Sequence, residues 1–186
     1  MILPILAYGT PSLRKISDNF QKNDLNLKNI IADLEETMQQ SDGIGLAAPQ
    51  VGFNKRLFII NADPLSEEDE NLKDWKKIFV NARITKKWGE NWTYNEGCLS
   101  IPLLREDIIR PSKIKIEYFD ENFNFFEEEY DGVLARIIQH EYDHLEGKLF
   151  TDYVSPLRKK LLKPRLRDIS IGKVDIFYKM KFPLKK

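Results

Sequence analysis

Cysteine and histidine are scarce in this sequence, which has one cysteine and two histidines among 186 residues. One cysteine excludes an internal disulfide, which is compatible with a reducing compartment. No apolar run approaches the roughly 18 residues that a membrane-spanning helix needs, and the apolar start of the chain lacks the basic leader of a secretory signal. We therefore expect a cytoplasmic protein that does not engage a membrane.

The sequence also lacks a net charge, but its charges are unevenly placed. Residues 62–74 hold six acids against one lysine, and residues 155–186 hold eleven basic residues against two acids. The acidic stretch is typical of an exposed loop inserted between two strands. We interpret the basic end, from about residue 164, as a tail whose charge could attract the phosphates of RNA.

The length of the chain fits one domain over residues 1–186, because domains typically run about 50 to 250 residues. Apolar residues recur at helical spacing in some segments and alternate in others, which predicts an α+β fold with antiparallel or mixed sheets packed around a central helix. The predicted helices are residues 26–40, residues 132–145 and a last helix from residue 155. The predicted strands are residues 56–61, 78–86, 113–119, 123–130 and 173–180.

Both histidines lie in one short segment, residues 139–144 (QHEYDH), within the second predicted helix. Positions i and i+4 of a helix lie about 40° apart on one face, so His140 and His144 can bind one metal ion. Glu141 lies beside them, where hydrolytic His-Glu-x-x-His sites place a base. We expect this to be the central, metal-binding helix. The alternative is that both histidines are packed or capped within an amphipathic helix.

A catalytic metal site needs a third protein ligand. Cys98 is the only thiol in the chain, and Gly97 before it permits a tight backbone conformation. A lone cysteine is by default a small buried apolar residue, but the two histidines favour the ligand interpretation. An acid further along the chain is the alternative, as in zinc peptidases that use two histidines and a carboxylate. The candidate acids are Glu146, Asp152 and Asp168.

Three segments together resemble the peptide deformylase family, in which they occur in the same order: residues 43–52 (GIGLAAPQVG), 96–100 (EGCLS) and 139–144 (QHEYDH). The similarity extends at lower resolution from about residue 4 to residue 161. It implies that Cys98, His140 and His144 bind one divalent metal ion, with water as the fourth ligand. Fe(II) would be the physiological ion, and Zn(II), Ni(II) or Co(II) could replace it.

The resemblance also implies an activity and a role for single residues. The reaction is hydrolysis of the N-formyl group from the N-terminal methionine of newly synthesised proteins, with release of formate. Glu141 would act as general base and acid, while the Gln50 amide and the Leu99 N–H would stabilise the developing oxyanion. The residues implied to bind the substrate are Gly43, Ile44, Gly45, Glu96, Gly97, Arg105 and Ile137.

The glycines at positions 43 and 45 have a competing interpretation as a phosphate-binding loop. The Gly-Lys-Ser/Thr ending of that motif is missing, so we reject it. The resemblance implies instead that these glycines let a peptide approach closely and pair as an added strand.

The partners implied by the resemblance are formyl-methionyl nascent polypeptides. In some bacterial members a basic terminal helix also docks on the ribosome, whereas here the basic tail is predicted to end in a strand. We therefore expect at most a transient ribosome contact through this tail. A different class of function is a non-catalytic RNA-binding protein with a structural metal, which would have no use for Glu141 as a base.

Overall fold

A five-stranded antiparallel sheet forms the body of this computed structural model, which describes residues 1–184. In chain order the strands are β1 (Ile5–Leu6), β2 (Gly45–Ala47), β3 (Leu57–Asn61), β4 (Lys76–Cys98), β5 (Ile101–Phe119), β6 (Phe125–Asp131) and β7 (Met180–Lys181). The sheet has the order β2-β3-β4-β5-β6, and β1 and β7 form a separate parallel pair. Lys185 and Lys186, counted above with the basic tail, lie outside the described residues.

Within residues 1–184, three α-helices accompany the strands, namely α1 (Leu27–Gln40), α2 (Gly132–Leu145) and α3 (Pro156–Ser170). α2 follows β6 directly and packs on the sheet, because its apolar residues share one core cluster with the stacked rings of Phe58 and Phe79. Ala135, Ile138 and Leu145 form this apolar stripe. The predicted α+β fold, with a central helix among antiparallel strands, is confirmed.

β4 and β5 form a long hairpin that extends far beyond the strands predicted at residues 78–86 and 113–119. Those predicted bounds are wrong because the intervening residues include many charges, some of them on the buried face (Glu96, Glu106 and Arg110), so apolar alternation is weak there. Pairing continues to the last pair, Cys98 with Ile101, after an irregularity in register beyond Gly97. The hairpin therefore ends in a tight turn that carries Cys98.

α1 covers a second core cluster, in which Leu34 and Met38 pack together with Leu46. The predicted helix is confirmed, with a start one residue later than expected. After its end Asp42 adopts a left-handed conformation with φ 51°, which turns the chain through Gly43 into the edge strand β2. α1 thus delivers the glycine-containing segment to the open edge of the sheet.

The acidic stretch between β3 and β4 is mostly exposed, as predicted, but it is not a plain loop. It contains two short 3-10 helices, Asp63–Leu65 and Glu70–Leu72. Leu72 is buried in the core, and Leu65 packs against the same cluster. These apolar contacts anchor the stretch to the body of the protein.

The last helix begins as predicted, since the Ser155 Oγ caps it by accepting the Arg158 N–H at 3.3 Å. It continues through Pro164 to Ser170, so the predicted start of a tail near residue 164 falls inside a helix. The predicted strand at residues 173–180 is also wrong, because only Met180–Lys181 pairs, with β1. Within residues 1–184, no helix has the length and apolar character to cross a membrane.

Candidate active site

Cys98, His140 and His144 come together where the β4–β5 turn meets α2. The atoms that these three side chains can offer to a metal all lie within 4.8 Å of one another. The Cys98 Sγ lies 3.4 Å from the His144 Nε2, and the two imidazole rings are 5.3 Å apart between centroids. One turn of α2 and the end of the β4–β5 hairpin therefore supply a cluster of three possible metal donors.

The surroundings of this cluster fit a cation. The His140 Nδ1 donates to the Glu96 Oε2 at 2.9 Å, which leaves the Nε2 of the same ring as the possible ligand atom. Burial lowers the pKa of His140, but Cys98 and Glu96 outweigh burial and raise this pKa well above its usual value. Burial lowers the pKa of His144 well below its usual value, so this ring is neutral. One thiol and two imidazoles suit a divalent transition metal.

Glu96 is the centre of a buried ionic network behind His140. The Arg110 Nε donates to the Glu96 Oε1 at 2.7 Å, and the Arg136 Nη1 donates to the same oxygen at 3.0 Å. Arg110 also reaches the Asp143 Oδ2 at 2.6 Å. Burial alone would raise the pKa of Glu96, but His140 and Arg110 hold it well below its usual range. The carboxylate thus stays ionised and fixes the His140 ring.

Glu141 lies on α2 beside the cluster and is only 5% exposed. Burial raises the pKa of this carboxyl to about 7. Its Oε2 has no hydrogen-bond partner among the described residues. A Cβ placed on Gly45 would lie 2.5 Å from the Glu141 Oε1, so only glycine at this position leaves room for the carboxylate. The edge strand β2 and α2 are therefore in close contact at Glu141.

Gln50 sits in a short 3-10 helix, Ala48–Val51, that follows β2. Its Oε1 accepts the Ala47 N–H at 2.8 Å, which fixes the orientation of the amide. Its Nε2 donates to the Ser100 Oγ at 3.2 Å and lies 3.5 Å from the Cys98 Sγ. The amide donor therefore points to the metal cluster.

A cavity of about 380 Å³ opens in front of these groups. All of the predicted site residues except the buried His144 line it. Arg105 lies close to Gly97, because a Cβ added to Gly97 would lie 2.7 Å from the Arg105 Nη1. The Arg105 Nε donates to the Asn95 Oδ1 at 2.9 Å. The structure thus brings the three motifs to one cavity.

The comparisons with known proteins agree with this geometry. The family model described as "Polypeptide deformylase" matches residues 2–160. The chain belongs to the polypeptide deformylase family. It is 51% identical to the peptide deformylase of Flavobacterium psychrophilum over 193 aligned residues, which cover all of both chains. It is 48% identical to that of Cytophaga hutchinsonii over 186 residues, again covering both chains fully.

A solved structure extends the comparison to three dimensions. The crystal structure of a peptide deformylase from Legionella pneumophila superposes with a TM-score of 0.81 at 33% identity. The match covers 93% of this chain and 98% of that chain. Peptide deformylase is a metal-dependent hydrolase, and the cluster of Cys98, His140 and His144 is where this deformylase can hold a divalent metal.

Two of the three acids that were the alternative third ligands are engaged elsewhere in this deformylase. Glu146 pairs with Arg56 at 2.7 Å, and Asp152 pairs with Arg14 at 2.6 Å. Within residues 1–184, the only set of three or more metal-ligating side chains that lie close together is the one containing Cys98. The geometry therefore does not support a ligand set of two histidines and an acid.

The cavity of this deformylase also has wall residues that sequence reasoning missed. They are Asp42, Leu65, Tyr94, Leu103, Arg136, Asp175, Phe177 and Tyr178, among others. The Tyr178 O–H donates to the Leu99 carbonyl at 2.9 Å across 79 positions of sequence. No local pattern predicts such a contact, because it depends on the return of the C-terminal segment to pair with β1.

Proposed function

We propose that residues 1–186 act as one catalytic domain that removes the N-formyl group from the N-terminal methionine of newly synthesised proteins and releases formate. The observation that carries this proposal is the cluster of Cys98, His140 and His144 beside the buried Glu141 at one cavity. Such a cavity combines a three-donor metal site with a base, the combination that metal-dependent hydrolysis of an amide uses. Its substrates are made in the cytoplasm, and we place the protein there.

In this proposal Cys98, His140 and His144 hold one divalent ion, physiologically Fe(II), which Zn(II), Ni(II) or Co(II) can replace. When bound, the ion supplies a Lewis acid that polarises a carbonyl oxygen and lowers the pKa of a water molecule. Glu96 keeps the His140 ring in the orientation that its ligand role needs, through the hydrogen bond at Nδ1.

Glu141 acts as the general base and then as the general acid. A carboxyl whose pKa is about 7 accepts a proton from the attacking water near neutral pH and can return it to the leaving amine. The Gln50 Nε2 and the Leu99 N–H stabilise the oxyanion that develops on the formyl oxygen. The fixed orientation of the Gln50 amide supports this role, because a preorganised donor needs no rearrangement during the reaction.

The substrate backbone pairs with the segment of Gly43, Ile44 and Gly45. β2 is the first strand in the sheet order and has β3 on one side, so its other edge is open to an extended peptide. Ile137, on the cavity wall, contacts the methionine side chain, and Arg105 approaches the peptide from the opposite hairpin. Glu96 and Gly97 complete the wall beneath it.

Formate release from a formyl-Met-Ala-Ser peptide tests the proposed function. The protein is loaded with Fe(II) and kept free of oxygen, and an acetyl-Met-Ala-Ser peptide serves as the control for the acyl group. Formate should appear only with the formylated peptide, and a chelator should abolish its release. An iron-loaded sample that releases no formate would rule the activity out.

Gly45→Ala should lower kcat at least about tenfold. The new methyl group would displace the Glu141 carboxylate, and the proton transfer that this carboxylate performs would then be impaired. Steady-state formate release checks this result. Gly132→Ala is the matched control, since Gly132 has φ 54° and open space around its Cβ. The control should lose stability through backbone strain and keep its kcat. Equal activity of the two variants would contradict the steric role of Gly45.

Glu96→Gln should weaken metal binding by about 10- to 100-fold, the usual effect of removing an outer partner of a metal-bound histidine. Titration of the metal-free protein with Zn(II) measures the affinity. Glu106→Gln is the control, because Glu106 is also a buried carboxylate but pairs with Arg158 and not with His140. An unchanged affinity in the Glu96 variant would refute its role in orienting the ring.

We also propose a transient contact with the ribosome through the basic, exposed face of α3. This face presents Lys160, Lys163 and Arg167 to solvent, where they can meet RNA phosphates. Replacing Lys160 and Lys163 with glutamate should weaken salt-dependent co-sedimentation with ribosomes and leave formate release from short peptides unchanged. Unaltered co-sedimentation would exclude this face.

A further inference from the structure

Leu103 lies in an irregularity of the β4–β5 pairing: Cys98 pairs with Ile101 and Gly97 with Arg105, so residues 102–104 have no partner on β4. The φ of Leu103 is 59°, in the left-handed region, where the Cβ of an L-residue crowds the following carbonyl oxygen. Aspartate and asparagine tolerate this region better than leucine, and they occupy three of the other positions with positive φ. Leucine at such a position needs a compensating contact or a functional reason.

Packing supplies no such compensation at Leu103. Phe123 is the other large apolar residue with positive φ, and its ring packs on Phe119 and on the core cluster beneath α1. The Leu103 side chain, in contrast, is 68% exposed. The Arg165 Nη2 donates to the Leu103 carbonyl at 3.0 Å, which holds the backbone in place without covering the side chain.

The exposed Leu103 side chain lines the cavity that contains the metal cluster. Phe177 lines the same cavity from the C-terminal segment, and its side chain is 72% exposed. Tyr178 anchors that segment beside the site through its hydrogen bond to the Leu99 carbonyl. Two large apolar side chains are thus held at the wall of one cavity without being buried. Exposed apolar groups at such a place mark a binding surface.

We infer that Leu103 and Phe177 determine specificity by contacting the side chain of the second substrate residue, the one that follows the formylated methionine, and by favouring a large apolar residue there. The inference rests on the proposed function, which places the formyl group at the metal cluster. Successive side chains of an extended peptide point to opposite faces. When the methionine side chain enters the interior beside Ile137, the next side chain is therefore directed to the exposed part of the wall, where Leu103 and Phe177 lie.

The experiment compares formyl-Met-Leu-Ser with formyl-Met-Ala-Ser, and formyl-Met-Ala-Leu reports on the third residue. The wild-type protein should prefer leucine over alanine at the second position by about fivefold or more in kcat/KM, mainly through KM. Leu103→Gly and Phe177→Ala should each bring this ratio close to one, because kcat/KM falls on the leucine peptide more than on the alanine peptide. Leu157→Ala is the control, because Leu157 is 70% exposed on α3 and is not a wall residue of this cavity.

Thermal unfolding separates this role from a structural one. Leu103→Gly relieves backbone strain, which offsets the extra freedom that glycine gives to the unfolded chain, so its Tm should be close to that of the wild type. A lower Tm with equal losses on both peptides would show a structural role and overturn the inference. An unchanged preference in both variants, or a preference that resides at the third position, would overturn it as well. Deformylation without any preference in the wild type refutes this inference alone, whereas absence of deformylation refutes the proposed function too.

Discussion

Glu141→Gln is expected to lower kcat by about 10²- to 10⁴-fold, the contribution typical of a positioned general base. Glutamine keeps the size of the side chain and its contact with Gly45, but it cannot accept a proton from water. The loss should be large because Glu141 is buried, with a pKa of about 7 and an oxygen that has no hydrogen-bond partner among the described residues. Such an oxygen is available to a substrate water.

The measurement combines steady-state formate release with metal analysis of the purified variant. Metal content should equal that of the wild type, because Glu141 is not one of the three clustered donors. Glu146→Gln is the matched control on the same helix end, since Glu146 pairs with Arg56 and should leave kcat within about twofold. A Glu141 variant that keeps more than a tenth of wild-type kcat with full metal content would show that another group is the base.

The residues of the site that could be predicted from sequence are those that lie close together along the chain. His140 and His144 lie one helical turn apart, so their common face follows from helix geometry alone, and Glu141 follows with them. The helix itself was predicted with correct bounds because its apolar stripe and its polar turn signals agree. The same reasoning located α1 and the start of α3.

The long β4–β5 hairpin could not be predicted, for a physical reason. Strands were recognised where the buried face is apolar, as in residues 113–119, whereas the buried face of the outer hairpin includes the charged residues Glu96, Glu106 and Arg110. Its stability comes from cross-strand pairing, such as Trp92 with Arg110, between residues far apart in sequence. The buried network around Glu96 joins Arg110 of β5 and Arg136 of α2 to this carboxylate. The contribution of Arg136 requires the packing of α2 on this hairpin.

The C-terminal wall of the cavity was beyond prediction for a similar reason. Phe177 and Tyr178 reach the site because the segment after α3 returns to pair with β1. A two-residue parallel pairing leaves almost no sequence pattern, and the predicted strand was accordingly placed several residues too early. Sequence patterns therefore do not predict the contacts that distant segments make at this site.

Cys98→Ala should abolish stable metal binding. The loss of activity should exceed the loss of about 10- to 100-fold that is expected for Glu96→Gln, which removes only a hydrogen-bond partner of a metal-binding histidine. The variant leaves two imidazoles, and a catalytic metal site needs three protein donors. Metal stoichiometry after dialysis measures the loss. Thermal unfolding gives a second readout, because a ligand that binds only the folded state raises the Tm. Zn(II) should therefore raise the Tm of metal-free wild type and not that of the variant.

The same variant decides between the two ligand sets. A peptidase-like site with two histidines and an acid would keep its metal in Cys98→Ala, because the thiol would not be a ligand. Cys98→Asp is the informative control, since a carboxylate at this position restores a third donor and should recover part of the metal binding. Full metal retention by the alanine variant would refute the thiol as ligand. The engaged positions of Glu146 and Asp152 in ion pairs favour metal loss instead.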